Sequence, residues 1–250
     1  MKKMFVFMLS LMLFIGSSFH GRAESKEPDY LKGTELNRET IQILEEAGVP
    51  LSSNTKIEIR TVIDGSKSGN VILVTNPTKE MIRKDVVALI TDHGELAVNN
   101  LRQLAAASVS STPINYNGIK VNLTATAYYY RYFNSADFSD HYFRPQKVTF
   151  SYTKKATCNV TRIEVKYITD GKQYSYPGFV DLNLPEYVHS IVCDVPYPSV
   201  STTYTKTKVY RSDRVIYVSS SASGLGSNMY ITFNVYINSS LSEYYTVYIL

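Results

Sequence analysis

The chain has 250 residues, of which 44% are hydrophobic and 19% charged, with a formal net charge of +4. Such a composition is too apolar for a disordered chain and too varied for a fibrous one, and the length allows a sizeable buried core. The positive surplus raises nucleic acid or an anionic membrane as a partner, and the first predicted element removes that surplus.

Lys2 and Lys3 precede an apolar run over 4–15 in which Ser10 is the one polar residue, and Gly21 and Ala23 place small residues just before Glu24. A charged start, a short apolar run and a small-residue exit predict a secretory signal peptide of bacterial type over 1–23. A membrane anchor would need ~20 apolar residues. Lys2, Lys3 and Arg22 are the only charged residues of this segment, so its removal leaves 23 basic residues against 22 acidic. Nucleic-acid binders draw their affinity from clustered Lys and Arg that release counterions. A nearly neutral exported chain is therefore not expected to bind nucleic acid. No transmembrane segment is expected after cleavage, and the predicted location is extracellular.

Composition divides the remainder. Residues 24–111 hold one aromatic residue, Tyr30, whereas 112–250 hold 20 Tyr and six Phe. The change falls beside a small-residue and Pro segment, 108–113, that suits a linker. Two domains are expected: a small α+β or β domain over 24–111, and a tyrosine-rich domain over 112–250. In the first, Asn37 caps a short helix with Ile41 and Leu44 facing inward, closed by Gly48 and Pro50. Ile57, Ile59, Thr61 and Ile63 then alternate with Lys56, Glu58, Arg60 and Val62, the pattern of a half-buried strand. Asp64-Gly65 opens a turn towards the partner strand at 71–74, which Asn76-Pro77 breaks. Segments 86–91 and 96–98 flank a turn at 92–95, and 99–107 forms a helix or connector.

The second domain is β throughout. Ile119, Val121, Leu123, Ala125 and Ala127 line one face of a strand whose other face carries Asn122, Thr124, Thr126, Tyr128, Tyr130 and Tyr132. The same alternation recurs over 228–238 and 245–249, and more weakly near 148–152, 163–167, 188–195, 203–209 and 215–218, with Asp170-Gly171-Lys172 as a connecting turn. About eight strands with one apolar and one wet face predict an antiparallel β-sandwich, immunoglobulin-like or similar, so the whole is mainly β.

Cys158 and Cys193 both lie in this half, and export would expose them to an oxidising compartment. A bridge between them closes a loop of about 35 residues and stabilises by ~4 kcal/mol in the chain-entropy model. Against it, Cys193 shares the parity of the inward Ile191 and Val195, while Cys158 shares that of the charged Arg162, Glu164 and Lys166. Between two strands, Asn134, Asp137 and Asp140 supply oxygen ligands suited to calcium, although Asn and Asp are also ordinary turn residues.

No nucleophile elbow, zinc-helix motif or phosphate-binding loop is present. Glu164, Asp170, Glu186 and Glu243 are the carboxylates from which a hydrolytic pair would be drawn. The tyrosines are the more distinctive feature. Tyr128, Tyr130 and Tyr132 share one face of one strand, and Tyr230 and Tyr236 share the wet face of another. Outward tyrosines offer rigid amphipathic contact area and a hydroxyl. The expected function is thus a secreted, non-enzymatic protein that binds a cell surface, matrix or protein partner through a tyrosine-lined sheet face. An extracellular hydrolase with a carboxylate site and a structural or immunity-type protein are the alternatives.

Overall fold

The computed structural model describes residues 38–64, 67–77, 81–91, 96, 118–137, 139–155, 157–218 and 228–250. The export signal at 1–23, the turn at 92–95, the segment 99–107 and the linker at 108–113 lie outside the described residues.

Helix α1 (Arg38–Glu46) is amphipathic: Thr40, Ile41, Ile43 and Leu44 are buried while Gln42 and Glu45 are exposed, the spacing of one helical face. Gly48 ends it at φ +67°, a left-handed position that suits a residue without Cβ. There the Val49 and Gly48 N–H groups donate to the carbonyls of Leu44 and Glu45.

Eleven strands follow among the described residues: β1 (Lys56–Asp64), β2 (Lys67–Pro77), β3 (Ile82–Thr91), β4 (Ile119–Asn134), β5 (Ser139–Lys154), β6 (Val160–Ser175), β7 (Tyr187–Pro196), β8 (Tyr204–Thr207), β9 (Arg214–Tyr217), β10 (Met229–Ile237) and β11 (Ser240–Tyr248). The protein is mainly β and its pairings are antiparallel. The path runs β1-β2-β3-β4-β5-β9-β6-β10-β11, with β7 paired to β6 and β8 to β5.

Long β6 is the hinge of this path. Its residues up to Gly171 pair with β7, and up to Thr169 with β10, whereas 172–175 pair with β9. The Asp170-Gly171-Lys172 segment expected to be a turn is therefore continuous strand. Its glycine marks the point where β6 exchanges partners, a place where close backbone approach is common. The end strands of the path then meet where the Arg60 guanidinium donates to the Tyr248 carbonyl. Beside them Leu96, bridged to Ile90 of β3, donates its N–H to the Tyr245 hydroxyl at 3.1 Å.

One large core results. It takes Val71 and Leu73 from β2, Val86 and Ala88 from β3, Leu123 and Tyr129 from β4, Ile163 and Tyr167 from β6, and Ile231 and Val247 from β10 and β11. The expected division at 111/112 falls between two neighbouring strands of this one sheet. Strands β3 and β4, on either side of it, are hydrogen-bonded neighbours in register from Ile82↔Tyr129 to Ile90↔Val121, and both feed the same core. A second cluster lies on the opposite face of β1–β3, where α1 brings Ile43 and Leu44 onto Ile72, Val74, Val87 and Leu89. Ile57 and Ile59 pack there too, so the apolar face of β1 sits under the helix, while Val62 reaches the main core.

The expected disulfide is not formed. Cys158 and Cys193 are both free and both buried in the main core. Cys158 precedes β6, in a turn where its N–H donates to the Lys155 carbonyl, so strand parity does not govern it. Cys193 stands opposite Val165, five residues beyond the start of β6. Burial pushes the Cys193 thiol up, away from the reactive thiolate. Among the described residues no helix is long and apolar enough to cross a membrane.

Candidate functional site

Strand β4 carries the site because its two faces differ so sharply. Val121, Leu123, Ala125, Ala127 and Tyr129 are buried in the core, and the alternate residues from Asn122 to Tyr132 point the other way. Strand β5 continues this outer face in register: Asn122↔Thr153, Thr124↔Ser151, Thr126↔Thr149 and Tyr128↔Lys147. A register shift then inserts one extra residue in β5 before Tyr130↔Arg144 and Tyr132↔Tyr142. The bulge keeps both Lys147 and Arg144 on the tyrosine side.

The polar end of this row is a cleft of about 370 Å³. Its floor is the Thr and Ser pairs of β4 and β5, and its walls are the end of α1 at Glu46, Ala47 and Gly48 and the loop residues Ser201 and Thr203. Thr124, Thr126 and Thr149 lie buried at the bottom. The Arg83 guanidinium, also in the lining, donates from Nε and Nη2 to the Asp85 carboxylate at 2.8–2.9 Å, and the Thr126 hydroxyl donates to the same carboxylate at 2.7 Å. Asp85 is fully buried, so the one cation that lines the cleft among the described residues is neutralised by its partner. The side-chain oxygen of Asn122 is buried with no donor.

The other end is aromatic. Tyr132, Tyr142 and Tyr217 stand directly opposite one another across β4, β5 and β9. Tyr174 of β6 joins them at 5.2 Å from Tyr142 and 5.7 Å from Tyr217, between ring centroids. The turn after β6 starts with a cis Tyr176-Pro177 bond and holds Phe179 at φ +51°. It lays Tyr176 on Tyr132 at 4.5 Å and Phe179 on Tyr142 at 4.8 Å. Tyr142 is thus buried although it points outward, and its hydroxyl donates to Asp137 at 2.7 Å. Burial, with that bond, pushes the Tyr142 hydroxyl up to about 12, and the same bond holds the Asp137 carboxyl below its ordinary range.

Tyr130, Tyr132 and Tyr176 remain partly exposed around a single cation. The Arg144 guanidinium lies 5.0 Å from the Tyr132 ring and 4.7 Å from the Tyr176 ring, and its Nη2 donates to the Ser212 carbonyl at 2.7 Å. Lys147 sits 4.4 Å over Tyr128. These are cation–π distances.

The structure therefore unites Tyr128, Tyr130 and Tyr132 on one row but separates Tyr230 and Tyr236 from them. Tyr230 pairs with Tyr248 at 5.6 Å, and Tyr236 carries Arg162 at 5.2 Å, on strand β10. The residues that sequence alternation missed, Arg144, Tyr174, Tyr176, Phe179 and Tyr217, come from three other segments. Only the pairing of β5, β6 and β9 brings them to Tyr132.

The oxygen-rich loop is a turn. The Asn134 side-chain oxygen accepts the Ala136 N–H, and Asp137 accepts the Ser139 N–H as well as the Tyr142 hydroxyl, so these oxygens serve the hairpin between β4 and β5. The Asp140 side chain lies outside those described, and among the described residues no group of three or more His, Cys, Asp or Glu is placed to hold a metal. Of the carboxylates, Glu164 bonds Lys166 and Asn234 on the β6–β10 face. Burial, with Glu186 nearby, raises Asp170. The Glu243 side chain lies outside those described. Among the described residues the cleft is lined by one carboxylate, Glu46. Comparison with protein-family models, curated proteins and solved structures finds no match.

Proposed function

We propose that the protein is a secreted, non-enzymatic binding protein, with a sandwich-like arrangement of its sheet, that holds a cell-surface, matrix or protein partner against the outward row of β4. The supporting observation is the group formed by Tyr130, Tyr132 and Tyr176 around Arg144. Tyrosine presents a large amphipathic surface at low conformational cost, and Arg and Tyr are the side chains that dominate binding hot spots. Rings and cation that already pack on one another lose little further freedom when a partner binds.

Retention of the exported chain on intact producing cells and on their extracellular matrix tests this reading. The double change Tyr130→Ser and Tyr132→Ser is expected to lower retention ~10-fold or more, the size of a hot-spot loss, with the unfolding midpoint close to that of the parent. Unchanged retention by a folded double variant contradicts it.

A further inference from the structure

The outward row of β4 changes character along its length, and the change points to a class of ligand. Ten residues of strand separate Asn122 from Tyr132, ~33 Å at about 3.3 Å per residue. A row of that length suits an extended polymer better than a small molecule. At one end the hydroxyls of Thr124, Ser151 and Thr149 and the amide of Asn122 line the cleft, with the Asn122 oxygen lacking a donor. Short hydroxyls and an amide that both give and accept hydrogen bonds match a ligand rich in hydroxyls. At the other end the rings of Tyr128, Tyr130 and Tyr132 offer apolar faces, which suit the C–H faces of sugar rings. Beside them, Lys147 and Arg144 have no carboxylate partner among the described residues, whereas Arg83 in the cleft is neutralised by Asp85. The row thus presents hydroxyl partners, stacking faces and two uncompensated positive charges along one line.

We infer that the ligand of this face is an acidic polysaccharide, its hydroxyls seated in the Thr124–Ser151 cleft and its carboxylate or sulfate groups met by Lys147 and Arg144. The inference rests on the reading of the row as the binding face and adds the chemistry of what binds there.

Titration calorimetry of the full chain after export would use polygalacturonate and hyaluronate as acidic probes. Dextran and amylose serve as neutral probes, and polyglutamate as a polyanion without sugar. The acidic polysaccharides are expected to bind, with affinity falling as salt rises, and each of the other three at least ~10-fold more weakly. Lys147→Gln and Arg144→Gln should each weaken binding ~10-fold and flatten its salt dependence. Thr124→Val, which keeps shape and strand preference, should weaken it several-fold, by about the worth of one hydrogen bond, and leave the salt dependence intact. Thermal unfolding of each variant separates lost binding from lost folding. Polyglutamate binding as tightly as the polysaccharides overturns the inference in favour of an acidic protein partner, and equal binding of the neutral glycans overturns the role of charge. If no polysaccharide binds while Tyr130→Ser and Tyr132→Ser still abolish cell retention, the ligand class is wrong and the binding face stands. If retention is also unchanged, both fail.

Discussion

Two stretches of the same sheet face have opposite fates. Over β1–β3 the outward residues are Ile57, Ile59, Ile72, Val74, Val87 and Leu89, and helix α1 lies on them with Ile43 and Leu44 buried between. Over β4 and β5 the outward residues are Asn, Thr, Ser and Tyr with two cations, and among the described residues no helix covers them. The helix stops at Gly48, on the margin between the two, where its last residues become a wall of the cleft. Apolar outward positions need a cover because exposed branched side chains forfeit ~1.5–3 kcal/mol each. Hydroxyls and tyrosine rings do not, since water satisfies their polar ends. The contrast separates the covered, structural half of the face from the open half proposed above as the binding face.

The largest expected effect is on the covered half. Leu44 is fully buried, so Leu44→Ala should cost about 3 kcal/mol of stability in urea unfolding, within the range for core truncations. A loss below ~1 kcal/mol would make α1 an appendage and dissolve the contrast.

Lys84 gives a smaller effect from the inner face of β3, where a cation is buried beside the core. Burial, with Arg60 adding repulsion, lowers its ammonium to about 8. The unfolded chain, with an ordinary lysine near 10.5, then holds more protons between pH 8 and 10.5. Stability should climb with pH across that window, while below pH 8 the penalty is present in full. Above that window the sign reverses, because buried tyrosines such as Tyr142 keep their protons longer than the unfolded chain does. Lys84→Met should abolish the climb from pH 8 to 10 and add about 2 kcal/mol at pH 7. A variant with the parent's pH profile would show that the ammonium is solvated.

The smallest effect on stability belongs to the open half. Tyr130→Ser removes a ring contact with Tyr132, and Tyr132→Ser removes that contact, the one with Tyr176 and the cation–π contact with Arg144. Each is worth ~0.2–1 kcal/mol, so the double variant should unfold less than ~2 kcal/mol below the parent. A larger loss would class these rings with the core.

Much of this was legible in the sequence. The alternation along β4 and β10, the helix over Ile41 and Leu44, and its end at Gly48 all rest on local periods and local backbone preferences, and the structure keeps them. What was hidden depends on pairing between distant segments. Gly171 reads locally as a turn, but β6 runs straight through it because two different partners wait on either side. The aromatic drop at 111/112 falls between β3 and β4, and β3 needs few aromatics because its Val and Ile side chains fill the same core as the Tyr and Phe of later strands. Tyr176 and Tyr217 meet Tyr132 or its neighbour Tyr142 only through the turn after β6 and the short strand β9.

Hydroxyl-radical footprinting of the exported chain, free and bound to producing-cell envelope, tests most directly whether the open half is the binding face. Tyr130, Tyr132 and Tyr176 are expected to lose reactivity on binding while Tyr230 and Tyr236 keep theirs. Protection of Tyr230 and Tyr236 with Tyr130, Tyr132 and Tyr176 unchanged would place the partner on the β10 face and contradict the account.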